Sequence, residues 1–434
     1  MEEFEGHGFD EFSVEMGDFQ VKKSKKFDRI VKAEPGGSVT TSVVYYEGLI
    51  YFGSANYNVY AVDPRDGKLV WKFRTEGSIM ESTPTVDDGM VYIGSFDRNV
   101  YAIDSKSGKL VWKYETGEKV ISHPVVSEGI VYCGSIDQNM YALDAKTGKL
   151  IWKFRTQDWI VSEALTVGEK LIFGSHDRYL YCLNKKTGKL LWKFRTQGEI
   201  YNDNVFPHRE GVVYFGSFDN HLRAADIETG KLLWKKRLGN YGMAASGVIH
   251  GDMLIQPIRD GMLVALDFKG NVLWKFETTA EDAMGIPAVK DGLIYVGSYG
   301  SYNLYCLDME GKELWRFKAF DGIYAAPFVF GKNVIFASWD CNVYCINRKT
   351  RNVVWKFRAD GSPVVLPPPY EAFELETTIP KSSFDEARTK SYDLDIKDDS
   401  EESSSLYKSK ITYQVSTQYA AKGKYQKDSA EEEF

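Results

Sequence analysis

Cysteine, histidine and long apolar runs are all scarce in this sequence, and each scarcity closes off a class of protein. Five cysteines occur in 434 residues: Cys133, Cys182, Cys306, Cys341 and Cys345. Their odd number and strand-like surroundings argue against a disulfide framework, so reduced thiols and a cytoplasmic location are expected. No apolar run nears the ~20 residues that cross a bilayer as a helix, so no membrane span is expected. The opening MEEFEGHGFDEF has neither a basic nor an apolar region of the kind that directs export. Nucleophile, zinc-finger and phosphate-loop signatures are missing as well; the GSxDxN segments lack a following helix.

A dominant charge of one sign is also missing from the body of the chain. Residues 1–37 hold 6 Lys/Arg and 9 Asp/Glu, and residues 366–434 hold 9 and 15, which leaves 39 against 37 for residues 38–365. Two acidic ends flank a near-neutral body. That balance gives no basic footprint for a nucleic acid, which is not an expected partner.

What is present is a repeat. VYIGSFDRNVYAIDSKSGKLVWKYET (91–116) returns as VYCGSIDQNMYALDAKTGKLIWKFRT (131–156) and LIFGSHDRYLYCLNKKTGKLLWKFRT (171–196). Its most regular mark is tryptophan, at Trp71, Trp112, Trp152, Trp192, Trp234, Trp274, Trp315 and Trp355, with gaps of 41, 40, 40, 42, 40, 41 and 40 residues. The third unit divides into ISHPVVS (121–127), IVYCGS (130–135), NMYALD (139–144) and KLIWKFRT (149–156). Asp, Asn and Gly stand between them where turns need left-handed backbone, and the pieces are rich in β-branched and aromatic residues. Four antiparallel strands per unit of about 40 residues is the blade of a β-propeller. The expected fold is all-β: an eight-bladed β-propeller over 38–365 with four strands per blade, because a lone blade cannot bury both faces.

The pattern Ala-x-Asp-x-x-x-Gly-x-x-x-Trp resembles the tryptophan docking motif of the PQQ-like (quinoprotein-type) repeat family. It stands intact at Ala61/Asp63/Gly67/Trp71, Ala102/Asp104/Gly108/Trp112, Ala142/Asp144/Gly148/Trp152 and Ala224/Asp226/Gly230/Trp234. Cys182/Asn184/Gly188/Trp192 is a variant, the sixth and seventh units are one residue shorter, and the eighth has Arg351 in place of glycine. The resemblance implies that each indole stacks on the neighbouring blade, against a glycine and a small residue. WD40 propellers compete with this reading, but their Gly-His dipeptide is absent from the repeating units. Catalytic members of the family are typically larger and exported, with an adjacent Cys-Cys pair and calcium ligands; this chain resembles the non-catalytic scaffold branch. No cofactor and no catalytic residue is expected.

The ends differ in kind. Residues 1–37 read as an acidic arm in which FDRIVKAE (27–34) could close the ring, as a clasp on the eighth blade or as an extra edge beside the Trp355 strand. Residues 366–434 read as a Pro-led acidic tail, partly disordered, or adding ITYQVSTQY (411–419) as a strand to an exposed edge.

The repeat departs from itself near the channel mouth and in the turns, and residues free of the repeat are the ones open to function. Ten residues past each tryptophan lie Glu81, Ser122, Ser162, Asn202, Ala244, Met284 and Ala325, followed by Ser82, His123, Glu163, Asp203, Ala245, Gly285 and Ala326. These positions near the channel mouth are polar in the first half of the ring and small or apolar in the second. Glu81, His123, Glu163 and Asp203 are the candidates for a metal or small-ligand site, against the plainer view that a wet channel mouth tolerates polar residues. Turns on the same face carry Tyr57, Arg98, Trp159, His176, Arg178, His221, Tyr302 and Trp339, together with Phe96, Phe218 and Tyr299. Tyr, Trp and Arg dominate protein interface cores, so a protein partner is expected there. Lysines of the Gly-Lys and Trp-Lys dipeptides form a basic rim that guards outer strand edges. The expected function is a protein-binding scaffold; a small-molecule or metal-binding propeller with an enzymatic or sensory role is the alternative.

Overall fold

In the computed structural model of the chain the described residues are 37–201, 204–278 and 283–359. They carry 32 strands and, among them, no helix. Blade 1 shows the plan: β1 (Val44–Tyr46), β2 (Leu49–Ser54), β3 (Asn58–Val62) and β4 (Leu69–Arg74) pair antiparallel in sequence order. Seven further four-stranded sheets follow at 85–115, 125–155, 165–195, 208–237, 248–277, 288–318 and 328–358. The eight-bladed propeller read from the tryptophan spacing is the observed fold.

The hydrophobic core lies between blades. Tyr51, Val59, Ala61 and Trp71 of blade 1 form one buried cluster with Val91, Ile93, Tyr101 and Ile103 of blade 2. Equivalent clusters fill the other seams, including the seam of blade 8 with blade 1, where Cys345 and Trp355 meet Ile50, Tyr60 and Val62. The second and third strands are buried on both faces because each faces a neighbouring sheet. Fourth strands alternate: in Leu150–Arg155, Leu150, Lys153 and Arg155 are exposed while Trp152 and Phe154 are half-buried.

The tryptophan holds each seam through two small residues of different origin. Directly across the hairpin on its own blade stands alanine or cysteine, as in the pairs Ala61–Trp71, Cys182–Trp192 and Cys345–Trp355. On the next blade stands a glycine: a Cβ on Gly108 would come within 2.7 Å of the Trp71 ring. The indole N–H then donates to a carbonyl of that next blade, Trp71 to Ser105 at 2.8 Å and Trp112 to Ala145 at 2.9 Å. Seven of the eight indoles make such a bond. Trp315 is the exception among the described residues, and its seam is the one where Arg351 (φ 66°) replaces the glycine.

The far end of four seams is pinned by a turn aspartate that holds its blade's tyrosine. Asp97 Oδ2 accepts from the Tyr101 hydroxyl of its own blade at 2.8 Å and from the Glu76 amide of the preceding loop at 2.8 Å. Asp137, Asp177 and Asp340 repeat the arrangement. At the closing seam Asn56 does the same work with its amide, donating to Tyr60 Oη and to the Ala359 carbonyl. The eighth blade draws all four strands from 328–358, so it is complete without a clasp from 27–34. Residues 27–34, the arm 1–36 and the tail 366–434 lie outside the described residues.

First strands are shorter than the sequence suggests: the third begins at Val125 rather than Ile121. The Ser122 hydroxyl both donates to the Gly134 carbonyl and accepts from its N–H, at 2.8 Å each, so a side chain replaces the ladder there. Thr41 with Gly53 and Ser162 with Gly174 do likewise.

Burial raises the thiols of Cys133, Cys182 and Cys345 to about 12 and that of Cys306 to about 11, which makes all four packing groups. Cys341 differs, since it occupies a turn with φ 70° rather than the core.

Two glycines separate backbone freedom from seam packing. Gly108 and Gly129 are both left-handed (φ 68° and 74°), but a Cβ on Gly129 would have nothing within 4 Å. Gly129→Ala is expected to cost about 1 kcal/mol from backbone strain. Gly108→Ala adds overpacking against the indole and should cost about 2–4 kcal/mol. Urea unfolding midpoints measure both; equal losses would show that the indole contact contributes nothing.

Candidate functional site

The loops entering the first strands meet around the central channel. The residues that follow Ser82, Ser122 and Ser162 form an inner ring: Thr83, His123 and Glu163, with Ser42 in blade 1 and Ala326 in blade 8. Bonds link neighbours around it. Ala326 N donates to Ser42 Oγ at 3.0 Å, Ser42 N to Thr83 Oγ1 at 2.9 Å, and His123 Nδ1 lies 3.1 Å from Glu163 Oε2. Both members of the last pair are largely buried, with side chains 7% and 14% exposed. The ring lines a cavity of about 300 Å³ that continues past Val44, Thr85 and Val86 along the first strands. A second cavity of about 310 Å³ shares Asn204 with it and is walled by Val205, Phe206, Val248, Ile249 and Ile286.

The four residues proposed for a cation site are not brought together. His123 and Glu163 touch, Asp203 lies outside the described residues, and Glu81 sits two residues ahead of the ring residue Thr83. A uniform count of ten residues past the tryptophan misplaces it, because the extra residue of the 41-residue gap falls between Ile79 and Ser82. Glu81 is left-handed (φ 67°), donates its N–H to Thr40 Oγ1, and accepts from the Tyr201 hydroxyl at 2.5 Å. Tyr201 belongs to the loop before blade 5, so this bond crosses the channel mouth. Among the described residues no three His, Cys, Asp or Glu side chains are placed to share a metal ion.

The loop-rich face carries the interface candidates. Tyr57, Arg98, Arg178 and Tyr302 occupy one turn position, each with positive φ. The Arg74 guanidinium lies 5.5 Å from the Tyr57 ring and the Lys318 ammonium 4.9 Å from the Tyr302 ring. Arg98 pairs with Glu115 at 2.7 Å. His221 braces its own turn, its Nδ1 2.8 Å from the Asp219 carbonyl. Trp339 packs edge-on against Tyr299 at 5.0 Å.

Trp159, 44% exposed, begins a continuous strip across blades 4 to 6. Its ring lies 5.7 Å from His176, which lies 5.7 Å from Tyr201, which lies 6.2 Å from Phe218. The Arg259 guanidinium caps the strip 5.4 Å from the Phe218 ring. Tyr201, Tyr241 (65% exposed) and Phe320 (76% exposed) join this face without a mark in the repeat pattern of the turns. The signal for Tyr201 is an aromatic at a position that is Met80, Ile121 and Val161 in the preceding units.

On the rim, Lys113 pairs with Glu76 at 2.8 Å, and Lys193 and Lys356 lie over the rings of Tyr179 and Tyr344. Those lysines cover the outer strands of the blades.

Burial among aromatic rings holds the His176 imidazole below its ordinary value of 6.5. The unfolded chain therefore takes up this proton more readily than the folded one. The contribution of His176 to stability is full above pH 6.5 and is lost as pH falls below it. In urea unfolding across a pH series, His176→Phe should flatten that acid-side loss; an unchanged slope would show that His176 titrates normally.

No curated protein matches the chain in sequence. Residues 55–162 match the family described as outer membrane protein assembly factor BamB. Among solved structures, BamB from Moraxella catarrhalis is 18% identical, covers 70% of this chain and 95% of its own, and has a TM-score of 0.62. The computationally designed Ika8 protein is 17% identical, with 73% and 98% covered and a TM-score of 0.64. The quinohemoprotein alcohol dehydrogenase ADHIIG from Pseudomonas putida HK5 is 16% identical, with 70% of each chain covered and a TM-score of 0.60. At these identities the likeness is one of fold alone. Residues 127–379, more than half of the chain, match the family described as beta-alanine-activating enzyme, beta-propeller; the chain belongs to that family, within the PQQ-like β-propellers.

Proposed function

We propose that this propeller is a non-catalytic scaffold that binds a protein through its loop-rich face, over blades 4 to 6. One observation carries the reading: the Trp159–His176–Tyr201–Phe218 strip with Arg259 at its end. Its positions are filled elsewhere by Ser78, Ala55 and Ile136, so packing of the ring does not require aromatics there. Rigid aromatic side chains and arginine are the residue types that carry most binding energy at protein interfaces. Structures of the same fold belong to an assembly factor and to an alcohol dehydrogenase, so the ring itself favours neither activity and the surface has to decide. The same reading keeps the chain in the cytoplasm, where its five thiols stay reduced.

Affinity capture from the source cells with the wild-type chain and with Trp159→Ala tests it. A partner retained by the wild type should be lost by the variant. With that partner purified, calorimetry should show weakening by about 2 kcal/mol, roughly thirtyfold in Kd. Equal retention by both chains, with the variant's unfolding midpoint unchanged, would overturn the assignment of the face.

A further inference from the structure

The channel is chemically two-sided, and the scaffold reading does not use it. Its polar wall comes from blades 1 to 4, with Ser42, Thr83, Thr85, His123 and Glu163. Its apolar wall comes from blades 5 to 7, with Val205, Phe206, Val248, Ile249 and Ile286. Asn204 lines both cavities, so the two walls face one continuous region of the lumen.

Ring closure alone does not call for this division. At the inner-ring position hydroxyls suffice to bridge neighbours, as Ser42 and Thr83 do. Blades 3 and 4 instead place an imidazole and a carboxylate there, both largely buried. Glu163 Oε2 faces His123 Nδ1 at 3.1 Å, and no other hydrogen-bond partner of this carboxylate is found among the described residues. Among the described residues no lysine or arginine lines either cavity. Glu163 is the carboxylate among the described residues that line the polar wall; it is largely buried, and its second oxygen, Oε1, is left to accept from a ligand. A ligand that brings a cation to Glu163 and lays a hydrocarbon body on Val248, Ile249 and Ile286 satisfies both walls at once.

We infer that the channel is a binding site for a small aliphatic primary amine, its ammonium on Glu163 and its carbon chain on the apolar wall. Access is from the face opposite the aromatic strip. The Glu81–Tyr201 bond crosses the loop-rich end of the channel, whereas the cavity runs along the first strands toward the other end. Binding of an amine is therefore independent of the partner-docking face.

Calorimetry on the full chain with hexan-1-amine, hexan-1-ol and calcium chloride tests the proposal. The amine should bind and the alcohol, equal in chain length but uncharged, should bind at least about tenfold more weakly, as loss of a charge-assisted hydrogen bond requires. Glu163→Gln keeps the shape and removes the charge, and should weaken the amine by a similar factor while Trp159→Ala leaves it unchanged. The amine–alcohol comparison needs no variant, so the test stands even if Glu163→Gln folds poorly. Equal binding of amine and alcohol, an unchanged affinity in a folded Glu163→Gln, or displacement of the amine by calcium would each overturn the assignment.

Discussion

Everything in this ring depends on one contact, an indole laid against the bare backbone of a glycine in the next blade. Blades are wedges: inner strands pack closely and outer strands diverge, so the outer part of each seam would open to water without a broad, flat filler. The indole fills that gap, and its N–H reaches a carbonyl of the neighbouring sheet only because the glycine has no Cβ to hold it off. The small residue opposite in the hairpin, Ala61 or Cys182 or Cys345, lets the ring tip away from its own sheet. At the other end of four of the seams the turn aspartate ties its blade's tyrosine to the preceding loop. A seam pinned at both ends fixes the angle between neighbouring blades, and repeating it lets the closing seam, Trp355 on Gly67, form without exchange of strands.

A frame of this kind releases the loops from structural duty. The strands and their pins are so repetitive that the residue after each turn serine can be Ala55, Phe96, His176 or Trp339 without disturbing the ring. The same freedom holds inside the channel, where Ser42, Glu163 and Ile286 occupy corresponding positions. Variation at such sites costs little stability, so they are where selection for binding can act.

The frame was legible in the sequence because tryptophan, glycine and aspartate each mark one obligatory contact at constant spacing. Less legible were features that depend on which loop absorbs an extra residue. A uniform count sets Glu81 beside Ser122, whereas the chain inserts a residue just before Ser82 and moves Glu81 off the inner ring. The short first strands were hidden for a related reason: the Ser122 hydroxyl imitates a backbone partner, and alternation patterns do not register a side chain standing in for the ladder. The division of labour between the small residue and the glycine was equally hidden. It depends on a register shift after Ala61, which brings Ala61 opposite Trp71 and Val62 opposite Leu69.

Those irregular loops also explain why Tyr201 matters more than its single position suggests. The gap after Trp192 is the longest of the series, and Tyr201 opens the loop that contains its extra residues. Its hydroxyl crosses the channel to Glu81, itself the inserted residue of the loop before blade 2, while its ring bridges His176 and Phe218 in the strip. Two departures from the repeat thus meet each other and divide the molecule into a face above and a lumen below. An insertion selected only for loop length would not need a left-handed glutamate bonded to a tyrosine three blades away. The bond makes sense as a partition: it keeps the aromatic strip continuous where the channel would otherwise interrupt it, and leaves the lumen to be reached from the opposite side.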